Sequence, residues 1–139
     1  MNFSLDPRLV ADTIELGDLT LSRLLLMDDA RYLWLILVPR RENLSELIDL
    51  EAGERAILME EIAAVSKALI DRPGIDKINV GALGNIVRQL HIHVVARVRG
   101  DAAWPGPVWG AGAPQRYAAS ETREIVRDLK ARLICGPAA

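Results

Sequence analysis

Near the start of the chain, apolar residues come in short runs separated by turn formers, each run too brief for a helix. Thr13-Ile14-Glu15-Leu16 leads into Gly17-Asp18, and Leu19-Thr20-Leu21 continues through Arg23-Leu24-Leu25-Leu26-Met27. The pattern predicts a strand, a tight turn and a longer antiparallel strand. Asp28-Asp29-Ala30-Arg31 makes a second turn. Tyr32-Leu33-Trp34-Leu35-Ile36-Leu37-Val38 is then a nearly continuous apolar run that stops at Pro39, as a buried central strand would. Beyond it the period changes. From Asp49, a suitable N-cap, to about Ile70, the apolar residues Leu58, Ile62, Val65 and Leu69 recur at helical spacing, with Glu54, Glu60, Glu61 and Lys67 elsewhere on the wheel. This stripe is read as core or dimer contact. Arg72-Pro73-Gly74 breaks the helix, a short strand follows over 76–81, and the turn over 81–85 leads to a last strand containing Gln89-Leu90-His91-Ile92-His93-Val94-Val95-Ala96-Arg97. The stretch 103–110 holds too much Pro and Gly for a regular element, yet Trp104 and Trp109 argue that it folds back onto the body. Ser120 can cap a final helix in which Ile125, Leu129 and Leu133 repeat and which Gly136-Pro137 ends.

Strands, a long helix, two more strands and a terminal helix make an α+β domain with about five strands in a mostly antiparallel sheet. Its 139 residues, half of them hydrophobic, suit a single domain spanning 1–139. The 17 basic and 19 acidic residues nearly cancel, and no basic block marks a nucleic-acid or membrane surface, although a small phosphorylated ligand remains compatible. The single cysteine, Cys135, has no intrachain partner and is expected to be inert; this fits a reducing, cytoplasmic compartment. Asp6, Pro7 and Arg8 interrupt residues 1–12 where a signal peptide needs an apolar core, and no apolar run is long enough for a membrane span.

Both histidines of the chain lie in the last strand, two residues apart. Alternation puts Gln89, His91, His93, Val95 and Arg97 on one face and Leu90, Ile92, Val94, Ala96 and Val98 on the other. Neighbours on one face are about 6.5 Å apart, so two imidazoles can touch one phosphate or one metal ion. A metal site needs at least a third ligand, and with no further histidine and no cysteine pair a carboxylate such as Asp28 or Glu42 would have to be recruited. Nucleophilic chemistry needs a neutral imidazole whose far nitrogen is held by an acceptor, with donors for a phosphoryl oxygen close by. Gln89, His93 and the Gly84-Asn85 turn supply such donors. Arg40 and Arg41 suit either a solvated strand end or a polyphosphate tail, and Trp104 and Trp109 either packing or a base.

The Gln89-to-Arg97 stretch resembles the signature of the histidine triad (HIT) family, three alternating histidines spaced by apolar residues. Residues 79–87 resemble its Asn-x-Gly segment and following turn, residues 35–41 its apolar strand ending in proline and basic residues, and residues 104–110 a bacterial branch with Gln in place of the first histidine. The motif-bearing core spans about 16–97. The resemblance implies a HIT-like fold and a homodimer acting, without metal or cofactor, on the α-phosphate of a purine nucleoside phosphate ester, amidate or anhydride such as a diadenosine polyphosphate. His91 matches the nucleophile and His93 the third histidine, which contacts phosphate oxygens or the leaving group. Gln89 stands in the first histidine's place and Asn85 in that of a glutamine near the scissile phosphate, completing the catalytic set. Asp28 resembles the acidic residue that grips ribose hydroxyls, and Asn79 an asparagine near the nucleoside. Two further departures are Trp34, where many members carry another histidine, and Ile86, which replaces a small hydroxyl residue. The alternatives are a nucleotide-binding regulator with little turnover and a metal enzyme built on the His91/His93 pair.

Overall fold

The computed structural model describes residues 2–134, so Cys135 and the Gly136-Pro137 helix stop lie outside the described residues. The element order is α1 (Pro7–Asp12), β1 (Thr13–Asp18), β2 (Ser22–Met27), β3 (Leu33–Pro39), α2 (Ala52–Ile70), β4 (Lys77–Gly81), β5 (Ile92–Arg97) and α3 (Ala119–Leu133), with a 3₁₀ turn at Leu47–Asp49 before α2. The five strands lie in the order β1-β2-β3-β5-β4, and every neighbouring pair is antiparallel. The α+β expectation, with its long helix and C-terminal helix, matches this architecture.

Alternation along the central strands divides the molecule into two apolar layers. Leu24 and Leu26 of β2, Leu35 and Leu37 of β3 and Ile92, Val94 and Ala96 of β5 pack with Leu58, Val65 and Leu69 of α2 and Leu129 of α3. Leu25, Trp34, Ile36, Val38 and Val95 point to the opposite face, where no long helix lies. That face is covered by Phe3, Leu5 and Leu9 of the N-terminal arm and by Val108 and Trp109 of the segment after β5.

Several boundaries differ from the pattern-based reading. Gly17 is not in the turn: β1 runs through Asp18 with a bulge between Glu15 and Gly17, and the reversal is closed by the Leu19 N–H donating to the Ser22 carbonyl at 2.8 Å. Gly17 has φ +145°, and a Cβ there would sit 2.9 Å from the Ile134 side chain, so both conformation and space require glycine. Asp49 does not cap α2. Its carboxylate accepts from the Ser45 and Glu46 N–H groups, and Glu51 is the N-cap residue. Ser120 lies inside α3, whose first turn is closed by Glu121 accepting from the Ala118 N–H at 3.0 Å. Glu61 is buried, not solvated, because its carboxylate accepts the Leu21 N–H at 2.8 Å. The short α1, which the apolar pattern did not predict, is started by the Asp6 side chain accepting from the Arg8 N–H, with Pro7 in its first turn.

Candidate active site

The site grows from the point where β5 loses its neighbours. Its last pairings are Leu37 with Ile92 on one side and Gly81 with His93 on the other; β3 then ends at Pro39 and β4 at Gly81. Regular alternation therefore begins at Ile92, not at Gln89 as the sequence reading held. Leu90 instead donates its N–H to the Leu44 carbonyl at 2.9 Å. His91 and His93 still share the face opposite the helices, both buried, with ring centroids 4.8 Å apart.

Their hydrogen bonds give the two rings opposite tautomers. His91 Nδ1 lies 2.6 Å from the Gln89 backbone carbonyl oxygen. A carbonyl can only accept, so Nδ1 carries the proton and the Nε2 of neutral His91 keeps its lone pair. His93 is the reverse. The Trp34 indole N–H donates to its Nδ1 at 3.0 Å, so this nitrogen is the acceptor and the proton sits on Nε2. Burial of the ring, with a smaller contribution from neighbouring His91, pushes the His93 pKa down to about 3. The pair therefore combines one nucleophilic ring nitrogen with one neutral N–H donor.

Aromatic rings wall this pair. Trp34 and Trp109 stand 5.6 and 5.4 Å from the His93 ring, and 6.3 Å from each other. Trp109 fits there because Gly81 has no side chain: a Cβ at Gly81 would lie 3.0 Å from Trp109 Cη2. Trp104 packs elsewhere, its ring 5.5 Å from the guanidinium of buried Arg97.

The other residues singled out in the sequence divide between site and scaffold. The Gln89 carboxamide turns to the N-terminal arm, its Oε1 accepting from the Asp6 N–H and its Nε2 donating to the Ser4 carbonyl, both at 2.8 Å. The contact of Gln89 with His91 is through the backbone. Asn79 accepts from Arg97 Nη1 at 2.9 Å, and Arg97 is also paired twice with Asp101 at 2.8 Å. Asn85 is exposed in its turn. Asp28 accepts from Arg116 and from the Tyr117 N–H at 2.8 and 3.0 Å, tying residues 116–117 to the end of β2. An open pocket of about 350 Å³ beside His91 is lined by Ser45, Leu47, Ile48, Leu83 and Gly84 among others. Asp28 and Trp34 line a separate pocket of about 210 Å³ with Arg31 and Arg116. Among the described residues no group of three His, Cys, Asp or Glu side chains converges as a metal would require, and no helix is long and apolar enough to cross a membrane.

A family model described as the HIT domain matches residues 8–100. The chain belongs to the HIT family. Membership suggests a nucleotide hydrolase or transferase, and the typical HIT protein is an enzyme. Solved HIT relatives share the whole fold. A histidine triad protein from Bradyrhizobium japonicum is 49% identical over 94% of this chain and 98% of that one, with a TM-score of 0.91. One from Sinorhizobium meliloti is 45% identical over 95% and 98%, and one from Marinobacter aquaeolei 42% identical over 95% and 96%, each with a TM-score of 0.92. No curated protein matches the sequence. The HIT fold of this chain is thus a five-stranded antiparallel sheet with its histidines on the face away from the helices.

Proposed function

We propose that the protein is a nucleotide hydrolase or nucleotidyl transferase that attacks the α-phosphorus of a nucleoside phosphate ester, anhydride or amidate through His91. The observation that carries this reading is the opposite tautomers of the two histidines. With its Nδ1 proton held on the Gln89 carbonyl, the His91 Nε2 lone pair is available to form a bond to phosphorus. The neutral Nε2–H of His93 is a donor for a nonbridging oxygen as charge builds on it. In the first step the Nε2–P bond forms as the bond from phosphorus to the leaving group breaks. In the second, water attacks phosphorus, releases the nucleoside monophosphate and restores His91.

The substrate class, a purine nucleotide or dinucleoside polyphosphate, and a homodimeric assembly are part of the same proposal and rest on family resemblance. Incubation with adenosine phosphoramidate and with a diadenosine polyphosphate, beside a His91→Ala control, tests it. The expected result is AMP release by the wild type and a fall of at least roughly a thousandfold in the variant, since the whole covalent route is removed. Equal turnover in His91→Ala would sink the assignment of nucleophile. Tight nucleotide binding by calorimetry without product would move the protein to the regulatory class.

A further inference from the structure

The N-terminal arm runs from one loop of the His91 pocket to the other. That pocket is lined by residues 45–48, on the loop after β3, and by residues 82–84 and 89–91, on the loop before β5. Resting on the reading of this pocket as the place where the nucleotide's phosphate meets His91, we infer that the arm is a strap that holds the two loops in their binding shape, with Arg8 and the Gln89 carboxamide as positioning residues for the nucleotide.

Alternate residues of the arm make the ties. Asn2 donates its backbone N–H to Glu42 Oε1 at 2.8 Å, on the first loop. Ser4 and Asp6 offer a backbone carbonyl and an N–H to the Gln89 carboxamide, and Arg8 Nη1 donates to the Ile86 carbonyl at 3.1 Å, all on the second loop. Between these residues Phe3 and Leu5 pack on the apolar layer of the histidine face, with the Arg23 guanidinium 5.3 Å from the Phe3 ring centroid. An extended chain presents successive residues to opposite sides, so one side of the arm grips the loops while the other is anchored on the sheet. A second pocket of about 260 Å³, lined by residues 2–4, 41–43 and Gln89, marks the seam between arm and loops.

Residues 82–91 join β4 to β5 without regular structure, and the Leu90 N–H ties them to the Leu44 carbonyl of the first loop. Ordering such a segment costs conformational entropy, and affinity falls when the ordering has to happen at the moment of binding. The strap moves that cost into folding. Its ties at Ile86 and Gln89 hold the stretch that leads into His91, and its tie at Glu42 holds the loop that carries residues 45–48. His91 itself is oriented by the Gln89 backbone carbonyl, which a side-chain substitution leaves in place. Release of the arm therefore acts on nucleotide binding and spares the chemical step.

The test measures AMP affinity by calorimetry and turnover of a diadenosine polyphosphate in the wild type, Arg8→Ala, Arg8→Lys, Gln89→Ala, the double variant Arg8→Ala/Gln89→Ala, and Glu121→Ala, which cuts a capping bond of α3. Loss of either tie should raise the AMP Kd and the KM roughly 5-fold or more, with kcat held within about threefold. The double variant should show little more than the worse single, because either substitution frees the same strap. Arg8→Lys, which retains a donor for the Ile86 carbonyl, should recover part of the affinity, and Glu121→Ala should lose stability but bind AMP like the wild type. Linkage requires the reverse effect as well: saturating AMP should slow hydrogen exchange of the Asp6 amide in the wild type by a comparable factor, and not in Gln89→Ala. Unchanged AMP affinity in both single variants, fully additive losses in the double, or a wild-type Asp6 amide indifferent to AMP would overturn the inference. So would wild-type affinity in Arg8→Lys beside a silent Gln89→Ala, which would make Arg8 a charge acting directly on the phosphate. Failure of the parent reading looks different: a wild type that binds no AMP loses the nucleotide site and the strap's role in it together.

Discussion

At the scale of single residues, position 89 separates side-chain chemistry from backbone chemistry. The carbonyl that orients His91 would be present whatever residue stood there, whereas the carboxamide serves the arm by accepting one backbone hydrogen bond and donating another. Gln89→Ala should therefore destabilise the fold by about 1 kcal/mol, the scale of partly exposed hydrogen bonds. Gln89→His keeps one donor and one acceptor nitrogen but fixes them on a rigid ring in place of the two atoms of one carboxamide, so it should not fully restore the bridge. Urea denaturation of both variants checks this, and wild-type stability in Gln89→Ala would show that the arm gains nothing from the bridge. Much of the site was legible in the sequence, since His91 and His93 carry their spacing openly. The partner of His93 was not. Trp34 stands opposite Val95, and Ile36 opposite His93, so the indole reaches the imidazole along a diagonal fixed by strand register, which one sequence does not reveal. Asn79 and Asp28 were singled out because they resemble the family's residues at the nucleoside and ribose, and each also has a protein partner that arrives from later in the chain, Arg97 and residues 116–117.

At the scale of elements, the irregular stretch after β5 is fixed as firmly as a strand. Arg97, at 1% exposure, is gripped by Asp101 from four residues on and lies between the Tyr32 and Trp104 rings, 5.7 and 5.5 Å from their centroids. The hydrogen bonds from Arg97 hold the Asp101 carboxyl below its ordinary pKa. Removing the carboxylate leaves a buried guanidinium without its counter-ion, so Asp101→Ala should cost about 3–5 kcal/mol, and Asp101→Asn somewhat less. Thermal and urea unfolding would show it, and a loss below about 1 kcal/mol would mean that Arg97 finds water or another acceptor. Helices and strands were readable because period survives in the sequence: the Leu58, Ile62, Val65, Leu69 stripe marks α2, and the apolar run before Pro39 marks β3. Ends were less readable. Where β5 starts is decided by Pro39 and Gly81 ending its two neighbours, and where β1 ends by a bulge at Gly17, neither of which is a property of those segments alone.

At the scale of the whole molecule, the sheet separates a helical layer from a layer that holds the histidines, and folding keeps His93 neutral. Its folded pKa of about 3 lies below the ordinary 6.5, so the unfolded chain binds the extra proton first. The stabilising contribution is complete above pH 6.5 and is lost as pH falls toward 3, by about 1.4 kcal/mol per unit. Between pH 6.5 and 5 this amounts to roughly 2 kcal/mol, and His93→Leu should flatten that part of the profile in denaturation experiments. An unchanged slope would place the acid sensitivity in other groups. The two layers also differ in colour to the spectroscopist. All the tryptophans of the chain, Trp34, Trp104 and Trp109, belong to the histidine layer or the strap across it, and two of them touch His93. Tryptophan emission from this protein is consequently a local signal: it reports the protonation, occupancy and opening of the histidine face, while the helical layer, which holds Tyr117 but no indole, leaves it unchanged.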